Sequence, residues 1–361
     1  LAAAGVRAPW RSLAVVAALG LAAALLVRGF ARLPIADSGL AIDWKHIWAG
    51  TRHFSAHYGL TELRTPPWAL PFLWPLSLLP LASSWALLGL LCLCVLALCV
   101  PRAGRLRWAA GVLLLCSSYP ALRQLADGNL ELLVIGGILL LLAAARRHNA
   151  WLLAAGVLLA SAKIQETWLF LLVYGWQTLR SWPRRPLLQA AGLVLALALP
   201  LLAWKGGEWW LAMRTFPWGG TLIDSSLAAV SGRHAAWLLW LLWPAVLAIT
   251  LAALWRRGVH KANTLTQLQA GALVAAGLLL APYAASNSVL TPLALAGSAL
   301  WAARPVLGVL LFAAANIPYG LMGNLQWRLT QESDYWCVVL LLILGLSLWQ
   351  ARQPSPKRLI S

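Results

Sequence analysis

Long apolar runs broken by short polar turns follow one another along the whole chain. Windows suited to crossing a bilayer core, which takes ~20 residues with a range of about 17 to 25, fall near 12–30, 82–100, 107–123, 129–146, 150–163, 167–180, 186–204, 235–255, 264–283, 287–302, 304–320 and 335–350. The pattern predicts an all-α polytopic membrane protein of about twelve transmembrane helices, with residues 1–361 as one integral membrane domain. The first window follows Arg7 and Arg11 in the manner of a signal peptide, but no small-residue cleavage site follows it, and it reads as a retained helix. Composition agrees. Of 361 residues 61% are hydrophobic and 11% charged, and the mean hydropathy is +0.76, more apolar surface than a soluble domain of this size can cover.

Charge orients the helices. With the N-terminus on the cytoplasmic side, the inner segments are "PRAGRLR", "RRHN", "RSWPRRP", "WRRGVHK", "ARP" and the tail "ARQPSPKRLIS"; with Arg7 and Arg11 they hold 17 of the 28 Lys and Arg residues, as the positive-inside bias requires. Both termini are then cytoplasmic, in a multi-pass protein of the cytoplasmic (inner) membrane. All ten acids, Asp37, Asp43, Glu62, Asp127, Glu131, Glu166, Glu208, Asp224, Glu332 and Asp334, fall on the outer side. Acids avoid an anionic inner leaflet, yet several here adjoin apolar runs, where ionisable groups are costly and mark function. A net charge of +18 would suggest nucleic acid in a soluble protein; in this chain it is distributed as topology, and no nucleic-acid partner is expected. Cys92, Cys94, Cys99, Cys116 and Cys337 sit in apolar segments without metal-ligand spacing.

The first outer loop, residues 32–81, interrupts the hydrocarbon. "DWKHIWAGTRHF", residues 43 to 54, puts Trp44, Ile47 and Trp48 on one helical side, as in an amphipathic helix lying in the interface. Asp43 stands at its start, where a carboxylate caps free N–H groups or, in a dry cavity beside a hydroxyl, serves as a general base. "TPPWALPFLWPLSLLP", residues 65 to 80, carries five prolines and is expected to lie at or re-enter the outer face rather than span it. A second outer insertion, 205–234, is rich in Trp and Gly; Trp209 and Trp210 either anchor at headgroup level or form a lid over an acceptor.

The stretch "DWKHIWAGTRHF…YGLTELRTPPWALPFLWPLSLLPLASSW" resembles the first outer loop of the GT-C glycosyltransferases, in particular the polyprenyl-phosphate-mannose-dependent alpha-mannosyltransferases. Three further stretches resemble the same family in the same order. They are "ADGNLELLVIGGILLLLAAARRHNAWLLAAGVLLASAKIQ", "DSSLAAVSGR" (224 to 233) and "APYAASNSVLTPLALA", so the likeness covers about residues 40 to 300. Asp43 and Lys163 keep the family's residue types. Asn129 and Glu131 stand where the family has Gln and Asn, Asp224-Ser225 where it has Asn-Gln, and Asn287-Ser288 at a paired-histidine position.

The resemblance implies a GT-C fold with outer-face juxtamembrane helices. It also implies an inverting transfer of a sugar, mannose first, from a polyprenyl-phosphate donor to a hydroxyl of a glycolipid or envelope glycan at the outer face. Asp43 would be the catalytic base, with Asp37 as a rival. Lys163, Arg123 and Arg64 would bind the donor phosphate, with Arg328 a weaker candidate. His46, Asp127, Asn129, Glu131, Asp224, Asn287, Trp209 and Trp210 would contact substrate. Membrane lipids are the other partners. The acids Asp37, Asp43, Asp127, Glu131 and Glu166 are of the kind that hold divalent ions, but Lys and Arg suffice for one phosphate, so no cofactor is expected. The alternatives are a lipid or sugar-lipid transporter or flippase, which would carry internal repeats and midplane polar breaks, and a non-catalytic assembly subunit on the same scaffold. No phosphate-cradling Gly-Lys-Ser/Thr loop, His-Glu-x-x-His or Gly-x-Ser-x-Gly motif is present.

Overall fold

A computed structural model describes residues 39–54, 64–215, 224–256, 264–321 and 332–350, with scattered residues between 21 and 32. Most of the expected helix 12–30, together with Asp37, Glu62, residues 216–223 and Arg328, lies outside the described residues. The described chain is all helical, with one isolated bridge between Asp224 and Ala285.

In chain order the helices are α1 (Ile42–Arg52), α2 (Leu70–Ser77), α3 (Leu81–Cys99), α4 (Arg105–Cys116), α5 (Tyr119–Asp127), α6 (Glu131–Arg147), α7 (Ala150–Ala160), α8 (Ile164–Ser181), α9 (Arg184–Thr215), α10 (Leu227–His234), α11 (Leu238–Arg256) and α12 (Gln267–Leu280). After them come α13, which covers 290–303 with a π-helical stretch at Leu293–Gly297, α14 (Pro305–Leu321) and α15 (Glu332–Gln350). By length and composition five segments can cross a membrane, Leu81–Cys99, Ala150–Ser181, Arg184–Thr215, Leu238–Arg256 and Glu332–Gln350, or six if α5 and α6, bent by 118°, make one span. Twelve crossings are not reached on this measure, because several expected spans are helices of 11 to 17 residues, short for a hydrocarbon core of about 30 Å.

One of the five is not a single rod. A straight helix over 150–181 would hold its ends about 48 Å apart, yet the rings of His148 and Trp182, which flank it, lie 5.2 Å apart. The segment is a hairpin of α7 and α8 with its tip at Ser161–Lys163. Tyr174 of α8 donates to the Leu141 carbonyl of α6 at 2.7 Å, so α6, α7 and α8 run side by side. Asn149 caps α7 by accepting from Leu152 N at 3.0 Å, and a Cβ on Gly137 would meet Ala160 N at 2.3 Å. Only glycine lets α6 and α7 approach so closely, the small-residue packing that replaces hydrophobic drive inside a bilayer.

α12 is the centre. Ala270 through Leu280 are all buried, as befits a helix apolar on every side, and it packs against α8, α13 and α15. Thr266 and Gln269 close a capping box at its start. α9 and α11, by contrast, bury little of themselves and stand at the periphery.

Other expectations change in detail. The window 107–123 divides into α4 and α5 at Ser117–Ser118, ahead of Pro120 at the first turn of α5. The proline-rich segment 65–80 forms a 3-10 turn, Pro67–Ala69, and the eight-residue α2, which at about 12 Å does not cross. The segment 205–215, expected as loop, continues α9 without interruption to Thr215, since no proline or capping residue stops it. α1 does not lay its tryptophans in lipid: Trp44 is fully buried and donates to Ser84 Oγ at 3.1 Å, and Trp48 donates to the Leu79 carbonyl at 3.0 Å.

Candidate functional site

Several helices begin at one end of the bundle, around a polar cavity of about 330 Å³. Its wall comes from α1 (Asp43), the strand-like approach to α2 (Arg64, Thr65, Pro66), the α5–α6 turn (Asn129, Leu130), the α7–α8 tip (Ser161, Ala162, Lys163), the start of α8 (Ile164, Gln165), the top of α9 (Trp209, Met213) and the 283–288 loop (Tyr283, Ala285, Asn287, Ser288). The described acids all gather at this end, in this cluster or beside it.

The α5–α6 turn explains how the first carboxylate is held. Gly128 ends α5 at φ 71°, and a Cβ there would meet Trp44 Cβ at 2.5 Å; both facts require glycine. The turn delivers Asn129, whose Nδ2 donates to Asp43 Oδ2 at 2.7 Å while its Oδ1 accepts from Leu130 N at 2.7 Å. Asn129 is thereby fixed as a donor toward Asp43. Among the described residues no cation lies within ion-pair distance of Asp43. Asp43 does not cap α1, whose N-cap is Ala41 with φ 56°; it sits in the first turn with its carboxylate on the cavity. Burial pushes its carboxyl above the ordinary 3.8, the Asp127 and Glu131 carboxylates push the same way, and Lys163 and the Asn129 hydrogen bond pull against them. Burial likewise raises the Tyr283 hydroxyl above its ordinary 10.0, with Lys163 acting in the opposite direction.

Lys163 reaches the wall, but already has partners. Its Nζ pairs with Glu131 Oε1 and, at 3.2 Å, with Glu166 Oε1. Both glutamates are fully buried, and 14% of the Lys163 side chain is exposed. Ser288 Oγ donates to Glu166 Oε1 at 2.6 Å, and Thr291 Oγ1 to Glu166 Oε2 at 3.3 Å. Glu131 and Glu166 lie in the first turns of α6 and α8, where the positive helix ends favour carboxylates.

The other expected residues divide between wall and surroundings. Arg64 is on the wall, and its backbone carbonyl accepts from Trp209 Nε1 at 3.0 Å. Arg123 pairs with Asp127 at 2.5 Å, one turn apart on α5, and neither lines the cavity. His46 is exposed on α1 and off the wall. Asp224 lies behind it, fully buried; its Oδ1 accepts from Ser226 N at 3.0 Å and from Ala284 N at 2.9 Å, pinning the 283–288 loop to the start of α10. Asn287 is on the wall, 8% exposed, with no partner for its Oδ1. Trp209 packs edge-on against Trp68 at 5.3 Å, and Trp68 donates to Ser161 Oγ at 3.0 Å. Trp210, 59% exposed, faces away.

Sequence reasoning gave no role in binding to Gln165, Ser161, Thr65, Met213, Tyr283 or Ser288, and considered Glu166 only as a metal ligand. Glu166 was detectable: an acid three residues after a lysine, at a helix start in an apolar chain, is a pair that must be satisfied locally. Among the described residues no group of three or more His, Cys, Asp and Glu side chains is arranged to hold a metal ion.

The site thus has one carboxylate that is raised by burial and oriented by an amide, beside two cations, one peripheral and one neutralised from behind. Such a set can accept a proton from a hydroxyl and hold an anion close to it. No family model, curated protein or solved structure matches the chain.

Proposed function

We propose that the protein is a glycosyltransferase of GT-C type, which moves a sugar from a polyprenyl-phosphate donor to a hydroxyl of a lipid or glycan acceptor on the outer side of the cytoplasmic membrane. The observation that carries this reading is the Asp43 carboxylate on the cavity wall, held by Asn129 at 2.7 Å and unpaired by any described cation. Asp43 removes the acceptor proton as the hydroxyl attacks the anomeric carbon. The bond from that carbon to the phosphate oxygen breaks on the opposite face, and the configuration inverts. Charge then grows on the departing phosphate, and Arg64 with the exposed edge of Lys163 stabilises it there.

Burial of Asp43 suits the task. A carboxylate raised above its usual range is a stronger base when ionised. The start of α8 links the cavity to the membrane. Ile164 and Gln165 line the polar cavity, and one turn on, Trp168 begins an apolar groove of about 490 Å³ with Leu172, Trp176 and residues of α11. That route fits a donor whose head is polar and whose tail is hydrocarbon. The test is incubation of the protein in liposomes with polyprenyl-phosphate sugars, labelled mannose first, and a lipid extract as acceptor. Label moving into a new product supports the reading; hydrolysis-free recovery of every donor with every extract rejects it.

A further inference from the structure

Glu131 and Glu166 share a single ammonium. Their Oε1 atoms converge on Lys163 Nζ and on Ser288 Oγ, which lies 3.4 Å from Glu131 and 2.6 Å from Glu166. A hydroxyl has one proton to donate, and the shorter distance assigns it to Glu166. Glu131 Oε2 is buried with no partner. Two carboxylates against one ammonium leave one negative charge, and the N-termini of α6 and α8, worth about half a positive charge each, offset roughly that amount. The cluster by itself is therefore near balance.

An anion against the exposed edge of Lys163 destroys that balance. It adds a negative charge next to two buried carboxylates, and surplus charge in a buried site is strongly unfavourable. The other titratable groups in electrostatic reach are Asp43 on α1 and Asp127 on α5, both acidic, the Cys92 thiol on α3, the Tyr283 hydroxyl of the 283–288 loop, and Arg64 on the wall. Arg64 is the cation among these described groups, and Arg123 on α5 pairs with Asp127. The two adjacent carboxylates are where a compensating proton can sit with existing hydrogen-bond partners.

We propose that Glu131 and Glu166 form a proton site linked to the anionic ligand, taking up one proton between them when a phosphate diester occupies the cavity beside Lys163. The proton comes from solvent and returns to it when the anion leaves. This rests on the reading of the cavity as an anion site and adds to it a regulation by pH. Uptake on binding makes the affinity fall as pH rises, by at most about tenfold per pH unit where the free and occupied clusters differ by a full proton.

The experiment is calorimetric titration of dihexyl phosphate into the full chain in neutral detergent, in buffers of different ionisation enthalpy. The probe is a diester, so its single charge does not titrate near neutrality. The dependence of the heat on buffer reads the protons taken up per bound anion. Uptake by the wild type, lost in Glu166→Gln and in Glu131→Gln, is the expected result. Binding without uptake in the wild type overturns the proposal, and so does uptake that survives both glutamine variants. Absence of binding to the wild type at every pH overturns the anion site itself.

Discussion

Replacing Lys163 with Met separates two accounts of that residue. A cation serving only a ligand can be removed with loss of binding and little loss of stability. Here Lys163 is the ammonium paired with two fully buried carboxylates, Glu131 and Glu166. Removing one partner of a buried ion pair leaves uncompensated charge and costs about 3–5 kcal/mol. At roughly 2 °C per kcal/mol for a chain of this length, Lys163→Met lowers the Tm by about 6–10 °C at neutral pH. Lower pH, which protonates the two acids, recovers part of the loss. The triple variant Glu131→Gln, Lys163→Met, Glu166→Gln recovers most of it, because no charge is then stranded. Thermal unfolding of the detergent-solubilised protein reads all three. A single Lys163→Met variant that unfolds within a degree of wild type refutes the reasoning, since the ammonium would then be dispensable to the cluster.

Other substitutions test other parts. Gly128→Ala forces a side chain into a left-handed conformation, at about 1–2 kcal/mol, and into Trp44 Cβ at 2.5 Å, for a total of about 2–5 kcal/mol; denaturation that leaves stability unchanged contradicts the turn geometry. Asp224→Ala removes the acceptor of two backbone N–H groups and costs about 2–4 kcal/mol, read as a Tm shift. Trp209→Ala weakens donor or acceptor binding, and Trp210→Ala, on the exposed side, leaves KM within about twofold. Asp43 also shapes the pH dependence. Its folded carboxyl holds a proton more tightly than the unfolded one, so it lowers stability as pH rises from 3.8 through the raised value, and Asp43→Asn flattens that slope; transfer by the wild type rises over the same window as the base ionises.

The helices were legible because their signal is local. Runs such as 186–204 or 335–350 announce themselves by composition alone, and α9 and α15 lie over them. What composition cannot carry is where a helix stops when nothing in its sequence stops it. The run 205–215 reads as loop for its Trp, Gly and charges, but it holds no proline, and Trp209 finds the Arg64 carbonyl and Trp68 as partners, so the helix continues. The chain folds back at Ser161–Lys163, inside the end of the expected window 150–163 rather than after it.

The candidate site divides along the same line. Asp43 and Asn129 stand 86 residues apart and meet; the first was singled out by its type at a helix start and the second by resemblance. Lys163 was chosen as a cation at a helix end, which is a property of its own segment. That it is neutralised by Glu131, 32 residues away, and backed by Ser288 depends on how α6, α8 and α13 begin at a common level, and no single stretch of sequence encodes that. Arg123 and Asp127 show the reverse case, an i,i+4 pair readable on one helix.

The central claim is that Asp43 takes the proton of the acceptor hydroxyl, and the most direct measurement compares wild type with Asp43→Asn in single-turnover transfer of labelled sugar from its polyprenyl phosphate. Asparagine preserves the shape of the side chain and an oxygen for Asn129 to donate to, so both proteins should fold and bind donor alike. The account predicts that the variant transfers about 10²–10⁴-fold more slowly. Transfer at the wild-type rate by a folded Asp43→Asn protein would contradict it.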